Sequence, residues 1–202
     1  MVLLAVLAGA LAGCAQPVAG APAPAPPQAA GVSPTTATPT TATPAPDLPP
    51  RPREVRLDGL DPCTLLPRTD LAELGLEAPP RLTVAPSGLY GGEVRLCTAR
   101  GYEPRVVSAG VILSVTGGID LYLRPGVRSE ITPIDVEGFP AIVAVPTTLR
   151  DFCTVVVDIA PGQAVDVQVA DGGGVPPVPQ AGLCADAERT AAAVMQNLLA
   201  AR

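Results

Sequence analysis

The chain has 202 residues, with 13 basic and 19 acidic side chains, a formal charge of −6, and no histidine. Every base is arginine, and these are scattered among the acids instead of forming a stripe, so nucleic acid is not an expected partner. Without histidine the chain can build neither a Ser-His-Asp nor a Cys-His nucleophilic site and offers no imidazole to a metal; without lysine it has no Schiff base and no Walker-type phosphate lysine.

Composition divides the chain. Residues 1–46 carry no charge, and all acids and bases fall between Asp47 and Arg202. Val2 to Ala12 is an unbroken apolar run, too short to span a bilayer, which needs roughly 20 residues, but long enough for the core of a signal peptide. It ends in Leu11-Ala12-Gly13-Cys14, which resembles the bacterial lipobox. That resemblance implies cleavage after residue 13 and lipidation of Cys14, which then becomes the mature N-terminus. Met1 is followed directly by Val2, where a signal peptide ordinarily opens with positive charge; a start codon upstream would supply it and leave the anchor residue unchanged.

Residues 14–53 form the next segment, with about a dozen prolines, Ala-Pro alternation at 21–26 and a Thr/Pro run from Ser33 to Pro44. Such a stretch offers neither ladder donors nor apolar bulk, so a disordered, extended tether is expected. At about 3.1 Å per residue its reach is on the order of 100 Å. The Thr/Pro clusters also resemble O-glycosylation acceptors.

Residues 54–202 have the composition of one globular domain. Asp61-Pro62 reads as an N-cap followed by proline at the first helical position, Thr69 or Asp70 as a cap for a second turn, and Gly75 as a C′ residue. Two short helical turns split near Pro67 are expected, with Leu66, Leu71 and Leu74 facing the core. Short β-branched runs follow at 81–85, 93–99, 106–115, 119–123, 131–136 and 141–145, each bounded by Gly or Pro. Residues 152–159 and 165–169 flank Pro161-Gly162, which suits positions i+1 and i+2 of a type II turn. Val165, Val167 and Val169 alternate with Asp166 and Gln168, predicting a hairpin with one dry and one wet face.

After the Gly172–Gly174 loop, residues 180–201 are expected to be helical. Leu183, Ala187, Ala191, Val194 and Leu198 recur on one face, with Arg189 and Gln196 outside it. The predicted fold is α+β: an antiparallel sheet with a short N-terminal helix and a long C-terminal helix packed on it.

Setting Cys14 aside leaves Cys63, Cys97, Cys153 and Cys184, an even set in a domain expected to be exported. Of three possible connectivities, Cys63 with Cys97 and Cys153 with Cys184 is favoured, because it staples the first helix to an early strand and the last helix to the late hairpin. A four-thiolate zinc site is disfavoured, since no Cys-x-x-Cys pair occurs, and no Asp-x-Asp-x-Asp-Gly calcium loop is present. No cofactor is expected.

These residues resemble the actinobacterial lipoproteins that carry the domain of unknown function 3558. The resemblance rests on the lipobox, the Pro-rich tether, Asp61-Pro62-Cys63 with Leu65-Leu66, Leu71 to Leu76, Cys97, the strand Cys153 to Val157, and Cys184 before an Ala-rich helix. The family tends to carry an aromatic soon after the second cysteine, and here Tyr102 stands five residues on. The resemblance implies a fold and an address at the outer face of the cell membrane, and it brings no catalytic residues.

For chemistry, the nearest carboxylate pairs are Asp135 with Glu137 and Asp158 with Asp166. Acids alternating on a half-buried strand are usually its solvated face, and with only Phe139, Phe152, Tyr90, Tyr102 and Tyr122 as aromatics there is little platform for a sugar. The Gly-rich stretches 87–92 and 172–174 read as turns, since neither lies between a strand and a helix in a phosphate-binding pattern. A non-catalytic module that binds a cell-wall, lipid or protein partner is therefore expected ahead of a carboxylate-based hydrolase of envelope polymers. A hydrolase needs two acids facing each other across an open cleft, whereas a binder needs an open patch or cavity.

Overall fold

The computed structural model describes residues 46–202. The expected signal peptide, Cys14 and most of the tether lie outside the described residues.

Asp61 caps a 3-10 turn at Pro62–Leu65, its side chain accepting from the Cys63 amide. Helix α1 follows at Arg68–Glu73 and ends on Gly75, whose φ of +70° supplies the left-handed conformation a C′ residue needs. Neither Thr69 nor Asp70 caps this helix, contrary to expectation: Pro67 occupies the N-cap position without a side-chain bond. Asp70 is engaged elsewhere, its carboxylate accepting from Asn197, which also donates to the Leu65 carbonyl and so ties the first helical segments to the last.

Seven strands form one sheet among the described residues: β1 Arg81–Pro86, β2 Glu93–Gly101, β3 Val107–Ser114, β4 Ser129–Val136, β5 Phe139–Pro146, β6 Phe152–Ala160 and β7 Gln163–Asp171. Their order is β1-β2-β3-β7-β6-β5-β4, and every neighbouring pair is antiparallel. The β6–β7 hairpin turns on Pro161-Gly162 as expected, with Gly162 at φ +67°. Helix α2, Gln180–Ala200, crosses β6 and β7 and buries Leu183, Ala187, Ala191, Val194, Met195 and Leu198 against them. That face holds the main core, with Val155, Val157, Val165 and Val167 fully buried beneath the helix.

Residues 119–123 were expected to be a strand, and they form a 3-10 turn, Ile119–Leu123. A short apolar run cannot be assigned to strand or helix by periodicity alone, and here topology decides. The chain leaves β3 in mid-sheet and must cross to the far edge to begin β4. The Ser114 hydroxyl donates to the Gly117 carbonyl, and the Leu121 amide donates to Gly118, closing the turn as the chain crosses. The crossing lies on the sheet face opposite α2, where Ile119 joins Ile142, Val156 and Ala164 in a second, smaller cluster. Leu48 packs against that cluster and Arg51 pairs with Asp158, so the last residues of the stretch read as tether lie against this outer face.

The cysteines pair as expected, Cys63 with Cys97 and Cys153 with Cys184, at Cα separations of 5.1 and 5.0 Å. One bond fixes the first 3-10 turn to β2, and the other fixes the start of α2 to β6.

Candidate functional site

The outer sheet face is covered only in part. The crossing segment shields one half, and over β2, β3 and β7 a recess of about 280 Å³ remains. Its floor is polar and small: Ser108 and Gly110 from β3, Thr98 from β2, and Asp166 and Gln168 from β7. Gly110 keeps this floor low, because a Cβ there would come within 3.1 Å of the Leu96 side chain. Leu89, Leu96 and Ile112 supply apolar walls.

Asp166 is the focus. Strand alternation turns it away from α2, as the sequence indicates, but the expectation that this side of the hairpin is wet holds only for the exposed Gln168. Asp166 itself is only 4% exposed. Two aromatics cover it from distant parts of the chain. Tyr90 comes from the β1–β2 loop, which closes on itself through the Ser87 amide to the Gly92 carbonyl and the Gly91 amide to the Ser87 carbonyl. Tyr122 comes from the crossing 3-10 turn. The Tyr90 hydroxyl donates to Asp166 Oδ2 at 2.6 Å, and the Tyr122 hydroxyl donates to the same oxygen at 2.7 Å.

Burial raises the Asp166 carboxyl above its ordinary value near 3.8, and the two tyrosine hydrogen bonds only partly oppose this. Desolvation, reinforced by the adjacent carboxylate, pushes both tyrosine hydroxyls far above the usual range, so they remain protonated donors. No arginine of the described residues pairs with Asp166. Between the ordinary and the raised value the folded protein holds a proton that the unfolded chain has released, so stability falls as pH climbs through that window and levels off above it. Asp158 is raised in the same direction by its burial, so the Asp166 contribution must be read as a difference. Urea unfolding from pH 4 to 7 is expected to show a shallower decline in Asp166→Asn than in the wild type. Parallel curves would show that the carboxyl does not titrate as described.

The other acids singled out in the sequence have structural partners. Asp135 accepts from the Gly138 amide in the β4–β5 turn, and Glu137, in the left-handed region at φ +53°, accepts from Gln196 of α2. Asp158 pairs with Arg51 at 2.6 Å. Asp166 and Asp158 lie on the same sheet face, but only Asp166 lines the recess. Among the described residues no group of three or more His, Cys, Asp or Glu could hold a metal ion, and no helix is long and apolar enough to cross a membrane. The Gly-rich 87–92 stretch is a turn, as expected, yet it also delivers Tyr90 to the site, a role that its composition does not reveal.

The family model described as "Protein of unknown function (DUF3558)" matches residues 9–197. No curated protein and no solved structure matches the chain.

Proposed function

The chain belongs to the DUF3558 family, and from that premise we propose that it is a lipid-anchored protein of the cell membrane's extracytoplasmic face whose domain is a non-catalytic binding module. The observation that carries the binding role is the recess over β2, β3 and β7, with a buried carboxylate at its floor and apolar walls around it. A few convergent polar groups within an apolar surround are the usual make-up of a small ligand site. Hydrolysis of envelope polymers by paired carboxylates is the less favoured reading, because Asp166 is the single acid lining the recess.

Two paired disulfides support the extracytoplasmic address, since such bonds persist in oxidising compartments. The lipobox-like Leu11-Ala12-Gly13-Cys14 supports the anchor, and the family match, which begins at residue 9, includes Cys14. The ligand would be a component of the cell wall, a lipid or another envelope protein.

Native mass spectrometry of the chain purified from its own envelope tests the binding role. The wild type is expected to carry a bound mass that Ser108→Met, which fills the recess floor, loses. Equal retention by both forms, or an empty wild type, would count against a binding site here.

A further inference from the structure

The recess leaves one oxygen of its carboxylate without a hydrogen-bond donor. Both tyrosine hydrogen bonds land on Asp166 Oδ2, and among the described residues no donor reaches Oδ1. Asp166 itself lines the recess. A carboxylate this buried, with no cation beside it, is expensive to keep charged, and a donor entering the recess with positive charge would offset that cost.

We infer that the recess takes a primary ammonium at the end of an aliphatic stem, as on a lysine-type side chain of a peptide, with the ammonium bound to Asp166 Oδ1. This rests on the binding-module reading above and names the chemistry of its ligand. A guanidinium is a poorer match. Its fork is satisfied by two oxygens of one carboxylate, and Oδ2 is already held by two hydroxyls. An ammonium is a point charge that needs one strong acceptor and accepts weaker ones, and Tyr90, Tyr122, Ser108 and Thr98, each carrying a hydroxyl, line the same recess. Leu89, Leu96 and Ile112 flank the space that the methylene stem would occupy. The volume, about 280 Å³, suits one side chain rather than a larger ligand. A phosphate next to the amine, as in an ethanolamine phospholipid, would be brought towards the same carboxylate and repelled.

The test is a titration of the isotope-labelled full chain, followed by NMR at the Gly110 and Gln168 amides, with Nα-acetyl-lysine methylamide as probe. Saturable shifts at both amides are expected, with affinity about ten- to a hundredfold weaker in Asp166→Asn, as befits one charged hydrogen bond. Acetylating the probe's ε-amine should abolish the shifts in the wild-type protein, a control that requires no variant to fold. Equal binding of the acetylated probe, tighter binding of Nα-acetyl-arginine methylamide, no loss in Asp166→Asn, or a response only to phosphatidylethanolamine vesicles would each overturn the inference. If the lysine probe fails while a native ligand sensitive to Ser108→Met is still found, the amine assignment falls and the binding module stands.

Discussion

Reducing and alkylating all four domain cysteines is expected to lower the urea midpoint so far that the domain is largely unfolded at neutral pH. The bonds close loops with sequence separations of 34 and 31 residues. On chain-entropy grounds each contributes roughly 3.7 kcal/mol. A domain of this size has only about 5–15 kcal/mol in total, so losing both removes half or more of it. The two bonds should not fail alike. Cys153–Cys184 joins the second turn of α2 to β6, an interior strand of the sheet, and its loss loosens the helix whose Leu183, Ala187 and Leu198 fill the main core. Cys63–Cys97 joins a 3-10 turn to β2, next to the edge strand β1. Cys153→Ala/Cys184→Ala is therefore expected to weaken the cooperative transition as a whole, and Cys63→Ala/Cys97→Ala to release the N-terminal segment first, as read by hydrogen exchange. A midpoint unchanged by full reduction would show that the core alone holds the fold.

The disulfide pairing and α2 were legible for local reasons. The four domain cysteines form an even set with one in each of four recognisable elements, and the apolar residues from Leu183 to Leu198 repeat at a helical period that leaves one dry face. The β6–β7 hairpin was equally plain from the alternation beyond Pro161-Gly162, although the register shift between Asp158 and Ala160 was not. The site was not. Strand alternation tells which face Asp166 occupies but not what covers that face. The covering groups come from a loop 76 residues upstream and a turn 44 residues upstream. Residues 119–123 misled for the same reason: their apolar content suits a strand, whereas the crossing from mid-sheet to the far edge requires a turn that lies across the sheet. One signal was available. Tyr90 and Tyr122 are two of only five aromatics in a chain without tryptophan, and each stands a few residues from a Gly-Gly pair, where a large side chain has room to fold back onto a sheet.

Cys14→Ala is expected to convert the protein from a membrane-bound to a freely released one. Acyl chains contribute about 0.8 kcal/mol per buried methylene, and a single myristoyl-length chain holds only marginally, so the two or more chains expected at this residue should make attachment all but permanent. Nothing else in the described residues offers a substitute, since no helix there is long and apolar enough to span a bilayer. The decisive measurement is incorporation of a labelled fatty acid into the protein in its producing cell, followed by fractionation. Label on the wild type, recovered with membranes, and none on Cys14→Ala, recovered in the medium, is the expected pair of results. An unlabelled wild type, or a Cys14→Ala variant that stays with the membranes, would contradict an anchor at this residue and the outward-facing binding role built upon it.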